Sequence, residues 1–263
     1  MKIIAIKGGL GNQMFQYAHG RSLELSGKKV TFNISFFEGN KAEKDTARDF
    51  KLDNFNIVTK AKFSTKKHLF SEIKSKIKRK IGFNQEGLYQ NEKYFKDIKE
   101  DIQKEFSPKK PLGEESKIWE EKIKNTPNSV SVHIRRGDYV ENKITNNLLG
   151  VLPLEYYRQA ISFISERKSP PNLFVFSDDI DWVKENFKVN YPIFFVSGPK
   201  IRDYEELLLM SKCRDNIIAN SSFSWWSAWL NSNPEKIVIA PKIWFKGSPE
   251  QSKKIIPEGW VTL

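Results

Sequence analysis

Past residue 128 the apolar positions fall into short runs separated by segments of helical period. NSVSVHI (128–134), NLFVFS (172–177), IFFV (193–196), NIIA (216–219) and KIVIA (236–240) read as strands. Between them 153–168, 179–187, 202–213 and 222–232 read as helices, the first opening on Pro153. Strands alternating with helices in this way predict a parallel sheet covered on both faces, with ligands at the carboxyl ends of the strands. The first 34 residues repeat the theme on a smaller scale. KIIAI (2–6) is a strand, Lys7 to Gln13 a glycine-rich turn, Met14 to Ser26 a helix stopped by Gly27, and KVTFNI (29–34) the next strand. The stretch 40–125 is less regular, with helical patterns near 66–81 and 114–125 and a break at SPKKP (107–111). The expectation is an α/β fold in two domains, 1–125 and 126–263, divided within KNTPNS.

Charge separates these halves. The chain carries a formal +12, and by position 1–125 holds 27 Lys and Arg against 17 Asp and Glu, whereas 126–263 holds 17 against 15. An excess of that size points to an anionic partner: nucleic acid, a membrane surface or a phosphorylated small molecule. Residues 60–80 concentrate it, with nine basic residues to one acidic and Leu69, Phe70, Ile73 and Ile77 at helical spacing. Two readings fit that segment, a basic amphipathic helix on an anionic bilayer and a solvated helix packing a narrow apolar face on the core. The single cysteine, Cys213, cannot form an intrachain disulfide, and no apolar run has the length of a signal sequence or a membrane span. The expected location is the cytoplasm, peripheral on the inner face of the membrane if 60–80 binds lipid.

Four stretches carry polar groups where a strand meets a helix. HIRRGDY (133–139) sets Arg135 and Arg136 at the mouth of a strand, where successive side chains point to opposite faces. An arginine fork suits a diphosphate, Gly137 lets the backbone turn, and Asp138 can orient an arginine or take a proton; an exposed ion pair is the plainer alternative. KGGLGNQMFQ (7–16) offers Gly11 and Asn12 at a helix start, where amides can hold an anion, or is a tight turn with no ligand. It lacks the third small residue of a dinucleotide fingerprint and the Gly-Lys-Ser/Thr of a P-loop. In NSSFSWWSAWLNSNP (220–234), Asn220, Ser221, Ser222 and Ser224 can donate to phosphate oxygens or simply cap the helix, while Trp225, Trp226 and Trp229 read as helix-face core rather than sugar platforms. FSDDID (176–181) supports three readings: Asp178 or Asp179 capping a helix, a strand-end Asp receiving N–H groups of a guanine, or Asp179 and Asp181 holding a divalent ion. His19 and His133 have no Cys/His cluster near them in sequence, and no Ser/His/Asp order is present.

The series GGLGNQMFQYA, HIRRGDY, LLLMSKCRDNIIANSSFSWWSAWLN and NPEKIVIAPKIWF resembles the α-1,2-fucosyltransferases of glycosyltransferase family 11. The resemblance covers both halves and is weakest across 35–125. It implies a GT-B type fold, two Rossmann-like α/β domains facing a cleft, the first on the acceptor side and the second binding GDP-fucose. It further implies transfer of L-fucose from GDP-β-L-fucose, with inversion, to the 2-hydroxyl of a galactose-terminated glycan, lipid-linked or free. No cofactor and no metal are implied, GDP-fucose being a co-substrate. On the matching positions, donor binding is implied for Gly11, Asn12, His133, Arg135, Arg136, Asp178, Asn220, Ser221, Ser222 and Ser224. Arg135 is expected to stabilise the departing diphosphate, Asp138 to act as base with Glu141 as the alternative, and Arg136 to orient the loop through Asp138 or another carboxylate. The competing functions are a metal-dependent transferase of another sugar nucleotide, using Asp179 and Asp181, and a basic nucleic-acid-binding module. The second is disfavoured because the excess charge sits in one lysine-rich stretch rather than a stripe interleaved with aromatics.

Overall fold

The structure is a computed structural model and describes residues 1–38, 48–66 and 87–263. The helical pattern near 66–81, and most of the basic stretch 60–80, lie outside the described residues. By its internal contacts the chain divides into Met1–Lys110 and Pro111–Leu263. Among the described residues no helix is long and apolar enough to cross a membrane.

The first unit holds a three-stranded parallel sheet of β1 (Lys2–Ala5), β2 (Val30–Asn33) and β3 (Lys62–Ser64), in that order. α1 (Leu10–Leu25) crosses from β1 to β2 and buries Met14, Phe15, Tyr17 and Ala18. Its approach is close because Gly20 has no side chain: a Cβ there would stand 2.3 Å from the Phe32 ring. α1 starts at Leu10, not Met14, so Gly11, Asn12 and Gln13 form its first turn rather than a loop before it. The cause is Gln13, whose Nε2 donates to Gly8 O (3.0 Å) and Asp49 O (2.8 Å) while its Oε1 accepts from Lys51 N–H (3.0 Å). Those bonds offset the ~1 kcal/mol that a glycine costs inside a helix. α2 (Lys99–Glu105) closes the unit through Glu105, which receives the Tyr17 hydroxyl and, at 2.8 Å, Arg21 Nε.

The second unit begins earlier than the boundary expected near 125, because α3 (Glu114–Asn125) packs against elements C-terminal to it. Ile123 is buried against Phe174, Phe176, Leu209 and Met210, with Trp119 beside them. The six strands β4 (Ser129–Ile134), β5 (Asn172–Ser177), β6 (Ile193–Phe195), β7 (Asp215–Ile217), β8 (Val238–Ala240) and β9 (Val261–Thr262) are parallel and ordered β6-β5-β4-β7-β8-β9. Five of these follow the sequence pattern closely, and the sixth, β9, pairs with β8 in a C-terminal stretch where the pattern predicts no strand. Side-chain alternation distributes β5 between two cores: Leu173 and Val175 meet α6 (Leu154–Ser165) and α7 (Ile180–Asn186), while Phe174 and Phe176 meet α3 and α8 (Asp203–Lys212). Each such fully buried large side chain contributes about 1.5–3 kcal/mol. The strand numbering runs outward in both directions from β4 and β7, which makes their carboxyl ends the switch point where a crevice opens in sheets of this kind. The α/β class and the helix-covered parallel sheets are as the sequence predicts.

Candidate active site at the carboxyl ends of β4, β5 and β7

The chain leaves β4 at Ile134 and passes through Arg135 and Arg136 into α4 (Gly137–Glu141), which α5 (Lys143–Leu148) follows. The two guanidinium groups go different ways, the backbone leaving its extended course at Arg136 (φ -134°, ψ -79°). Arg135 lies between two carboxylates, with Nη2 donating to Asp138 Oδ1 at 2.5 Å and Nη1 3.1 Å from Asp178 Oδ2. Burial would lower its pKa, but Asp178 and Asp138 more than offset that and hold it above its ordinary value. Arg136 turns to α7, where its Nε donates to Asp179 Oδ2 at 3.0 Å and its guanidinium lies 3.3 Å from the centre of the Trp182 ring. The carboxylate that Arg136 meets is therefore Asp179; Asp138 serves Arg135. Asp178 also accepts the Arg136 backbone N–H at 2.9 Å. That contact needs Gly137, since a Cβ there would stand 2.2 Å from Asp178 Oδ2. With a quarter of its side chain exposed (25%), Asp178 keeps acceptor capacity for a ligand's N–H groups.

Asp181 pairs instead with Lys184 on α7, at 2.9 Å, with 86% of the Asp181 side chain exposed. The two carboxylates of the Asp179-x-Asp181 motif thus face different cations. Among the described residues no group of three or more His, Cys, Asp or Glu side chains is arranged to hold a metal ion.

Beside the arginines, β7 leads through Ile218, Ala219 and Asn220 to α9 (Ser222–Leu230). Ser221 is its N-cap and accepts from Phe223 N–H, satisfying one of the helix's orphan donors. Ser224 is fully buried and donates weakly to Ala219 O and Ser221 O, in the turn just before its helix. Asn220 is a staple: its Nδ2 reaches Leu149 O at 2.8 Å and Gly150 O at 3.2 Å, while its Oδ1 is buried without a partner. Of the four polar residues in the motif, Ser222 is thus the one left partly exposed at the helix start. Trp225 and Trp226 are both core, and Trp225 Nε1 donates to Ile255 O at 2.8 Å.

His133 lies beneath, 3% exposed, its ring 5.6 Å from Phe223 and its Nδ1 unpartnered. Burial, with Arg135 adding, pulls its pKa down to about 3, so the imidazole is neutral across the physiological range. Three residues complete the framework without having stood out in the sequence. Tyr139 donates its hydroxyl to Asn220 O at 2.9 Å and so ties the arginine turn to the serine turn. Tyr157 is fully buried beside them, its hydroxyl near the Arg135 backbone and its ring edge-on to Tyr156. Trp182 carries Arg136. Tyr139 ends HIRRGDY and Trp182 directly follows FSDDID, and their aromatic bodies beside charged residues were the available clue.

Gly11 and Asn12 belong to the other unit. Asn12 Oδ1 accepts from Gln90 Nε2 at 2.7 Å, and Gly11 is buried in the first turn of α1. This helix start carries no acidic residue in its first turn and no side-chain cap.

A cation fork, a hydroxyl-capped helix start and a cluster of carboxylates converge at the switch point, a set suited to a nucleoside diphosphate. The family described as Glycosyl transferase family 11 matches residues 1–263. The Escherichia coli O-antigen biosynthesis glycosyltransferase WbnK is 32% identical, over 98% of this chain and 99% of its own length. An Escherichia coli alpha-1,2-colitosyltransferase is 35% identical, over 99% of this chain and 98% of its own length. Human galactoside alpha-(1,2)-fucosyltransferase 1 is 27% identical over 52% of this chain and 40% of its own length. With the family pattern running from the first residue to the last, and these relatives matched along it, the chain belongs to glycosyl transferase family 11 and is a glycosyltransferase.

Proposed function

We propose that this glycosyltransferase moves L-fucose from GDP-β-L-fucose, with inversion, to the 2-hydroxyl of a terminal galactoside during glycan synthesis. The observation that carries the reading is the arginine turn. Arg135 is held in the mouth of β4 by two carboxylates, beside the partly exposed start of α9. In the reaction the acceptor oxygen bonds to the anomeric carbon as the bond from that carbon to the diphosphate oxygen breaks. The electron pair of the breaking bond leaves with GDP, and positive charge builds on the sugar ring. A fixed cation near the diphosphate stabilises charge that exists only in the transition state, which is how a site raises kcat rather than affinity alone. Arg135 is assigned this part; no divalent ion is required, so turnover is expected to persist in excess EDTA.

Arg136 is assigned to holding the turn against Asp179 and Trp182, and Ser221 and Ser222 to the phosphate oxygens at the start of α9. Asp178 is assigned to the guanine N–H groups through its remaining lone pairs. Asp138 orients Arg135, and an oxygen already receiving a charge-assisted bond is less available for the acceptor's proton. If Asp138 nonetheless takes that proton, Asp138→Asn abolishes the acidic limb of the rate profile as well as lowering kcat. If Asp138 only orients Arg135, the limb survives.

A second donor is favoured by one observation. The 35% identical relative is named a colitosyltransferase, and colitose differs from fucose by loss of the 3-hydroxyl. A site built to bond that hydroxyl rejects the deoxy sugar by about 10⁴-fold, whereas a site without such a bond accepts both. Incubating the enzyme and lactose with GDP-fucose, GDP-colitose and other sugar nucleotides, and reading the linkage by NMR, tests the proposal. An α-1,2 fucosylated galactose is the expected product; transfer from a uridine diphosphate sugar alone would overturn it.

A further inference from the structure

The arginine turn and the serine turn leave neighbouring strands, β4 and β7, and a diphosphate held by both needs them at a fixed separation. Strand pairing does not set that separation. The β4–β7 register ends with Val132 opposite Ile217, so Arg135 and Asn220 each lie three residues beyond it. The rings of His133 and Phe223 pack across the gap at 5.6 Å, tilted by 45°. The directional contact across it comes from Tyr139.

Tyr139 is 6% exposed and belongs to the arginine turn at its backbone, where its N–H donates to Arg136 O at 2.7 Å. Its carbonyl receives Asn146 Nδ2 at 2.6 Å, which fastens α4 to α5. At the other end its hydroxyl donates to Asn220 O at 2.9 Å, one residue before Ser221, the N-cap of α9. Between the two ends the ring centre lies 5.4 Å from the Arg135 guanidinium carbon, within the range of a cation–π contact. Ring and hydroxyl form one rigid plane, so the side chain acts as a strut between the cation and the helix start. Asn220 is itself immobile: its Nδ2 reaches Leu149 O at 2.8 Å, Gly150 O at 3.2 Å and Trp244 O at 3.4 Å. The strut therefore rests on a fixed point.

We propose that Tyr139 is a positioning residue for the transfer reaction. Its ring steadies Arg135, and its bond to Asn220 O fixes how far that cation stands from Ser221 and Ser222. This rests on the assignment of Arg135 and those serines to the donor diphosphate. Asn220 then serves the donor through its backbone, its carboxamide being engaged with the carbonyls around it.

The test is a double-mutant cycle, reading kcat, donor KM and melting temperature for wild type, Tyr139→Phe, Arg135→Ala and the double variant, with Tyr139→Leu beside them. Tyr139→Phe keeps the ring on Arg135 and loses only the bond to Asn220. Its kcat falls by about tenfold, a modest share of what a misplaced group can cost, while its donor KM stays within about threefold of wild type. Tyr139→Leu loses ring and bond together, and its kcat falls by about 10²-fold. In the Arg135→Ala background Tyr139→Phe changes kcat by less than about twofold, because a cation that is absent cannot be misplaced. Tyr139→Phe is nearly isosteric and carries the test if Tyr139→Leu does not fold. An equal loss in both backgrounds, accompanied by a lowered melting temperature, would make Tyr139 merely structural and overturn the proposal. Wild-type kcat in Tyr139→Phe, with Arg135→Ala strongly impaired, would overturn it while leaving the donor-site reading intact. Unimpaired Arg135→Ala is a different failure, since it removes that reading and the proposal with it.

Discussion

The two ends of the six-stranded sheet each set a partly buried cation against a carboxylate, and they differ in how many donors that cation has left. At the amino end Lys168 Nζ lies 2.7 Å from Asp215 Oδ1 and donates at 2.9 Å to Glu235 O. Around it the polar groups close on one another: Asn216 Nδ2 donates to Ser131 Oγ at 2.7 Å, and Asn231 Nδ2 to Asn216 Oδ1 at 2.7 Å. At the carboxyl end Arg135 has Asp138 and Asp178. The two cations are almost equally exposed, 19% for Lys168 and 18% for Arg135, so burial does not distinguish them. Donor capacity does. An ammonium has three N–H groups in one cluster and Lys168 uses two, whereas the guanidinium fork has five and Arg135 gives one to Asp138, with Asp178 in ion-pair contact. Buried atoms without a hydrogen-bond partner occur at both ends, Asp215 Oδ2 at the amino end and His133 Nδ1 and Asn220 Oδ1 at the carboxyl end, so they do not distinguish the two. At the amino end the cation gives most of its N–H groups to its own chain; at the carboxyl end Arg135 keeps more of them in reserve.

Substitutions at the two ends should separate accordingly. The largest effect is expected at Arg135, where Arg135→Ala lowers kcat about 10²- to 10³-fold with little change in melting temperature, the scale of removing one preorganised donor. Lys168→Met should do the reverse, costing roughly 2 kcal/mol of stability in a denaturant titration while kcat is retained. Leaving a buried carboxylate without its partner commonly costs about 3–5 kcal/mol, and the partial exposure of Lys168 reduces that here. If Lys168→Met also abolishes turnover, the two ends are not independent. The smallest effect belongs to Arg136→Lys. An ammonium keeps the charge but loses the fork on Asp179 and the flat stacking on Trp182, so kcat/KM should fall by about tenfold, equivalent to ~1.4 kcal/mol.

Much of this was legible in the sequence. Strands buried on both faces, such as β5, have so apolar a composition that their bounds follow from it, and HIRRGDY and NSSFSWW sit at strand ends because the alternation of strand and helix puts them there. What local pattern could not reveal were choices made by distant partners. α1 begins four residues early because Gln13 meets Asp49 and Lys51. α3 joins the second unit because Gly113 and Ser116 meet Glu205. Asp138 and Asp179 divide the two arginines between them in a way that spacing alone leaves open. Glu205 is the plainest case, no different in kind from Glu206 beside it in the sequence, yet fully buried because Gly113 and Ser116 meet it.

The central claim is that Arg135 stabilises charge growing on the departing diphosphate rather than merely holding the donor. Single-turnover rates and donor affinity measured on wild type and Arg135→Ala with GDP-fucose test it most directly. The account predicts a rate lower by at least about 10²-fold with donor Kd shifted by less than about tenfold, because the interaction matures only in the transition state. A rate within a few-fold of wild type, or a Kd weakened as much as the rate, would contradict it.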